Sequence, residues 1–213
     1  VDFENDYNTM DIDFMESVWW VFKELWSKGL IYQDYKVLPY SWAASTPLSN
    51  FEANMDYRDV EDPSIYFTLD ARDNYKKIIK GDKFLVWTTT PWCIPGNLAI
   101  AVGKEIEYSR ISIKNNFYWI ATDRLFEMKD HEIEIVDVSY GKDLIGASYI
   151  PAYNEYEHLF KEGAFRIIHS DDTNTESGSG LVSQAPAYGE SDFYALKNAN
   201  IDVIADPVTL SGR

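Results

Sequence analysis

The stretch Phe84-Leu85-Val86-Trp87-Thr88-Thr89-Thr90-Pro91-Trp92-Cys93-Ile94-Pro95-Gly96-Asn97-Leu98-Ala99 limits the fold more than any other part of the chain. Its first four residues form an apolar run of strand character. Three hydroxyls then follow, with two prolines inside five residues and a Gly-Asn pair. Threonine is stiff at χ1, Pro91 offers no N–H donor, and the residue before a proline is pushed toward extended backbone. The run therefore predicts a buried strand that ends abruptly in a fixed loop carrying several hydroxyls, the kind of backbone that positions a site.

Elsewhere the pattern alternates between short strands and a few helices. Asp13 and Glu16 have the spacing of a capping box, and Phe14, Val18, Val21, Phe22 and Leu25 recur at helical intervals up to Gly29. Trp19, Trp20 and Trp26 widen that face, and their default role is packing. Residues 30–41 read as extended and 43–50 as a connector. Strands are predicted at Ile65–Leu69, Phe84–Thr88, Leu98–Val102, Glu107–Ile113, Phe117–Ala121, Ile133–Val138 and Phe165–Ile168. Lys114-Asn115-Asn116 marks a hairpin, because asparagine tolerates left-handed backbone. Thr122–Met128 is predicted as a short helix with Thr122 as its cap. The sum is an α+β fold with a closed or nearly closed, β-barrel-like core and surrounding helices. Residues 1–52 would be a flanking helix and connector, and 53–213 the main domain.

Composition narrows the function classes. Hydrophobic residues make up 46% of the 213 and aromatics 15%, which excludes a disordered chain. A net charge of −16 argues against a protein that grips long nucleic acid through its phosphates, but leaves room for one that receives only the end of such a molecule. A single cysteine fits a reducing, cytoplasmic setting, and no apolar run approaches the roughly 20 residues that span a bilayer. The chain opens on Val1 with neither an initiator methionine nor a signal peptide, so it reads as a piece of something longer.

Metal chemistry is poorly supplied. His131, His158 and His169 lack ligand spacing, and Cys93 alone can build neither a structural zinc site nor, without an identifiable base, a nucleophile. No phosphate-binding glycine loop is present; Gly178-Ser179-Gly180 lacks the lysine or third glycine such a loop needs. What remains is a hydroxyl-rich loop and a carboxylate, Asp192, placed to sit in the first turn of a helix starting near Gly189. Such a set can orient a water and hold an ammonium group, which suits hydrolysis of an activated ester.

These residues carry a resemblance. Trp87-Thr88-Thr89-Thr90-Pro91-Trp92 with Pro95 and Asn97-Leu98-Ala99 is similar to the threonine-rich motif of the editing domain inserted in class I isoleucyl-, valyl- and leucyl-tRNA synthetases. Gly178-Ser179-Gly180-Leu181-Val182, Ala185-Pro186, Gly189 and Asp192 resemble the second editing motif. Gly141-Lys142-Asp143-Leu144-Ile145-Gly146 with Tyr149 and Pro151 resembles the segment between them. The flanks, Phe14–Lys23, Gly29–Tyr32 and Thr46–Glu52, look like the isoleucyl branch of eukaryotic cytosolic type.

The resemblance implies hydrolysis of valine misattached to isoleucine tRNA. Thr88, Thr89 and Thr90 would contact the terminal adenosine and the ester, and Asp192 would hold the substrate's ammonium. Trp87, Cys93, Asn97, Ser183 and Tyr188 would shape the pocket. The implied partners are the tRNA 3′ end and the rest of the parent synthetase. No metal or cofactor is implied in this segment: His-x-Gly-His and Lys-Met-Ser-Lys-Ser are missing, so ATP and magnesium would belong to the parent's synthetic site. Three positions depart from the family pattern. Ser183 stands where histidine is usual, Cys93 where threonine is, and Gly96 where serine or alanine is. Tyr188 is expected to fill the space left at Ser183. The competing readings are a degenerate editing fold that binds without chemistry, and a valyl- or leucyl-type editor.

Overall fold

The computed structural model describes residues 6–213. Its contacts divide it into two compact units, one ending at Lys36 and the other Val37–Arg213. The boundary expected at 52/53 falls inside the second.

The first unit is built on helix α1, Ile12–Ser27. Its N-cap is Asp11, not Asp13, and no side chain caps it. The turn before it brings the chain into the helix early: the Asp11 N–H bonds to the Asn8 carbonyl, and the Asp11 carbonyl already takes the Met15 N–H at 2.9 Å. Asp13 is left in the first turn, where its charge complements the helix dipole. At the other end Gly29, at φ +68°, closes the helix as expected, with its N–H on Trp26 and the Leu30 N–H on Leu25. No residue of α1 is buried; its aromatics meet one another, Phe22 lying edge-on to Trp19 and stacked on Trp26.

The second unit begins with a small hairpin, β1 Tyr40–Ser41 and β2 Thr46–Pro47. Helix α2, Asn50–Ala53, follows and carries a true capping box. The Ser49 hydroxyl accepts the Glu52 N–H, and the Glu52 carboxylate accepts the Ser49 N–H. This helix lies at the end of the stretch read as a connector. The tail of the chain returns to the hairpin: the Tyr40 hydroxyl donates to the Leu210 carbonyl, and Gly212 lies on Trp42.

The main sheet has eight strands: β3 Ile65–Asp70, β4 Lys83–Thr88, β5 Ala99–Val102, β6 Glu107–Ile113, β7 Asn116–Ala121, β8 Glu134–Tyr140, β9 Arg166–His169 and β10 Val182–Gln184. Helices α3, Gly141–Leu144, and α4, Glu190–Asn198, flank it. The sheet curls at β4. One edge of β4 pairs with β3 along all six residues, while its other edge is shared. Its first half pairs with β7 and its last residues with β10. From β10 the sheet continues through β5 to β9, and residues 148–149 bridge β9 back to Ala71 just after β3. That circuit gives the barrel-like core. Phe84, Val86, Leu98, Ile100, Tyr149, Phe165 and Leu181 fill it, each at most 1% exposed.

Two local expectations change. Thr122 does not cap the short 3-10 helix Thr122–Met128; its hydroxyl is taken by Ser109 Oγ at 2.9 Å. In β8 the alternation breaks because the register slips between Arg110 and Ile111, leaving Ile135 and Val136 both about half exposed. The hairpin at Lys114-Asn115 forms with both residues at positive φ.

Candidate functional site

β4 and β10 run parallel, with Trp87 beside Val182, so their C-terminal ends leave the sheet together. The threonine loop follows one strand and the Ala-Pro corner follows the other. The two candidate loops thus meet because of strand pairing. Leu98, after the threonine loop, donates its N–H to the Gln184 carbonyl and ties the loops again at 2.9 Å.

The three threonines occupy different places. Thr88 is buried, and its hydroxyl accepts the Thr90 N–H at 3.1 Å and lies 3.3 Å from the Thr90 hydroxyl. Thr89 is exposed and Thr90 half-buried. Beyond Thr90 the chain forms a 3-10 helix, Pro91–Gly96, with proline at its start and the Cys93 N–H on the Thr90 carbonyl. Read from sequence as a fixed loop, the segment owes its rigidity to this helix. Trp87 is half-buried, and its indole leaves no room for a Cβ on Gly178, which a Cβ would approach to 2.6 Å. The glycine turn is therefore cut to fit Trp87. Its carbonyls are held from the far side by Arg124, whose guanidinium donates to Thr175, Glu176 and Gly178. No sequence signal singled Arg124 out.

Asp192 lies in the first turn of α4, whose N-cap is Gly189. Its carboxylate reaches back to accept the Ala185 N–H at 2.8 Å, locking the Ala-Pro corner to the helix. Burial pushes its carboxyl up from the ordinary range, and the Ala185 N–H only partly opposes that. Cys93 joins the two loops electrostatically. Burial raises its thiol, a hydrogen bond with Thr90 lowers it, and the charge of Asp192 raises it further. Thr90, Cys93 and Asp192 thus lie close enough to act on one another. Tyr188 borders it. Its ring sits against Gly96, where a Cβ would approach to 2.8 Å, and its hydroxyl bonds to Asp206 at 3.2 Å. Burial and the Asp206 charge raise its phenol. The glycine at 96 is what admits the ring.

Asn97 is buried and fully engaged. Its Nδ2 donates to the Ala99 carbonyl at 2.8 Å and to Ser183 Oγ at 2.9 Å, and its Oδ1 accepts the Tyr149 hydroxyl at 2.6 Å. Asn97 therefore shapes the site from behind. The sequence motif that contains Tyr149 gives it no role of its own.

A cleft of about 470 Å³, lined by Lys104, Arg166, His169 and Asn200 among others, lies elsewhere and includes none of these residues. Among the described residues no three His, Cys, Asp or Glu side chains converge as a metal site, and no helix is long and apolar enough to cross a membrane.

Residues 1–173 match the family of class I tRNA synthetases for isoleucine, leucine, methionine and valine. Over its whole length the chain is 45% identical to the isoleucine–tRNA ligase of Bdellovibrio bacteriovorus, of which it covers 20%. It is 44% identical over 91% of its length to the probable cytoplasmic isoleucine–tRNA ligase of Dictyostelium discoideum, of which it covers 18%. The chain thus spans about a fifth of these relatives. In fold it is similar to the CP1 domain of a leucyl-tRNA synthetase, with TM-score 0.53 and 16% identity over 64% of this chain and 60% of that one. The chain belongs to the class I tRNA synthetases of the isoleucine, leucine, methionine and valine group.

Proposed function

We propose that this domain edits: it hydrolyses valine wrongly esterified to the isoleucine tRNA. The observation that carries the reading is that the threonine loop and the corner leading to Asp192 leave two paired parallel strands together, with the Cys93 thiol feeling both Thr90 and Asp192. The names of its relatives supply isoleucine and the tRNA. The need is physical. A pocket for isoleucine gains little from one extra methylene, and for isoleucine-selecting enzymes the established preference over valine is about 150-fold, too small for translation without a second, hydrolytic sieve.

In this reading Asp192 holds the α-ammonium of the misattached valine, a charge-assisted contact to a carboxylate that accepts from the Ala185 N–H and the Ser191 hydroxyl. Thr88, Thr89 and Thr90 hold the terminal adenosine and a water. That water attacks the ester carbonyl carbon, the carbonyl–ribose oxygen bond breaks, and the ribose oxygen leaves with a proton. Valine and free tRNA result. The ester is already activated, so orientation supplies most of the rate. The net charge of −16 suits a domain that takes only the 3′ end, delivered by the rest of the parent synthetase, in the cytoplasm. ATP and magnesium serve that parent's synthetic site and have no part here.

The test is single-turnover deacylation of valyl-tRNA(Ile), with the chain in large excess to offset weak binding. Loss of ester is expected, slowed about a hundredfold by Asp192→Ala, in line with a charged hydrogen bond made to substrate. Ester loss at the uncatalysed rate, with bound tRNA detected, would favour the binding-only reading.

A further inference from the structure

The segment between the two editing motifs has a task in the site. We infer that Tyr149, acting through Asn97, turns Ser183 into a hydrogen-bond donor aimed at the substrate; this rests on the editing reading above.

The inference follows from counting protons along three side chains. Tyr149 is completely buried and its phenol is held protonated by that burial. The Ala99 carbonyl can only accept, so it takes Asn97 Nδ2 and leaves Oδ1 toward Tyr149, whose hydroxyl donates to it at 2.6 Å and holds the amide in that orientation. Both Nδ2 protons are then assigned, one to the Ala99 carbonyl and one to Ser183 Oγ. Ser183 Oγ accepts there, so its own proton is directed elsewhere. A serine facing an asparagine of the opposite orientation would have to donate inward.

Register says where the outward proton lies. Val182 is opposite Trp87 in the parallel β10–β4 pair, so the residues that follow, Ser183 and Thr88, stand at the neighbouring ends of these two strands. The half-buried Ser183 hydroxyl thus stands next to the Thr88–Thr90 hydroxyl pair, at the edge where the two loops open. The family's usual histidine is gone from this position, yet a polar donor remains and is aimed by neighbours that lie outside the substrate's reach.

Tyr149 itself is held firmly. Its N–H bonds to the Phe165 carbonyl at 3.0 Å, its ring meets Phe165 edge-on, and Ala71 bridges to it across the barrel closure. Gly141, where a Cβ would fall 2.1 Å from the Gly103 carbonyl, and Gly146, at φ +96°, let the 141–151 segment take this path. Tyr149 is a positioning residue; Ser183 is the one that touches substrate.

Single-turnover deacylation of valyl-tRNA(Ile) by four variants tests this. Ser183→Ala and Tyr149→Phe should each lower the saturating rate about tenfold, the worth of one hydrogen bond made in the transition state, with half-saturation unchanged. The double variant should be no slower than Ser183→Ala alone, because both changes remove one interaction. Ser183→Thr, which keeps the hydroxyl, should stay within about threefold of wild type by the same measure. Near-UV circular dichroism and melting separate misfolding from this effect. An active wild type with additive losses, or with Tyr149→Phe at full rate, overturns the relay and leaves the editing reading standing. A folded wild type that binds the tRNA without hydrolysing it overturns both.

Discussion

Two carboxylates, Asp82 buried and Asp192 half-buried, are finished to different degrees. Asp82, 2% exposed, is saturated. Arg110 grips it with two hydrogen bonds of 2.8 Å, Trp119 Nε1 donates at 3.0 Å and the Ile79 N–H adds another. The guanidinium lies over the Phe117 ring besides, 4.0 Å from its centroid. Asp192 has the Ala185 N–H and a long contact from Ser191, and the charge of another aspartate, Asp172, raises its carboxyl further. One carboxylate is part of the building. The other is kept short of a cation at a place where a substrate would bring one.

The comparison makes predictions of unequal size. Asp82→Ala strands a buried guanidinium and should cost about 3–5 kcal/mol in urea unfolding, the usual result of breaking one side of a buried pair. An unchanged midpoint would show that Arg110 finds water instead. Asp192→Asn should do the reverse. Burial raises the Asp192 pKa above its unfolded value, so the folded state holds the proton more tightly and ionisation at higher pH works against folding. Stability from this group is lost as pH rises through that window and is gained back by an uncharged isostere. The melting temperature at neutral pH should rise, by a few degrees at most, while deacylation falls. A drop in melting temperature would mean that Asp192 is as structurally committed as Asp82. The smallest effect concerns Cys93, whose thiol feels the Asp192 charge. Its alkylation by iodoacetamide at pH 8 should quicken about two- to fivefold in Asp192→Asn as more thiolate forms.

The threonine loop was legible because its signals are local: three β-branched hydroxyls, Pro91 and the apolar run before them each act on backbone within a residue or two. Asp192 was legible for the same reason, as a first-turn carboxylate. Two errors came from local signals that compete. Asp13 and Glu16 have capping-box spacing, but a turn at Asn8–Asp11 starts the helix two residues sooner. Ser49-Asn50-Phe51-Glu52 has the same spacing and does form the box, at the end of a stretch too small and polar to suggest a helix. The half-buried alternation expected of β8 failed at a bulge set by its partner strand. What could not be read at all is whatever depends on pairing across distance. Arg124 holds carbonyls more than fifty residues away, and the Asn97 amide oxygen takes the hydroxyl of Tyr149, 52 residues downstream. Each looks ordinary in its own neighbourhood.

The contact of Tyr40 with Leu210 and of Trp42 with Gly212 has a topological consequence. The incoming hairpin and the outgoing tail of the second unit lie side by side. Joining the two directly closes only a short loop, at little entropic cost. A chain permuted to begin in the exposed turn at Lys114-Asn115 would then keep every pairing of the barrel, and the two site loops would still leave β4 and β10 together.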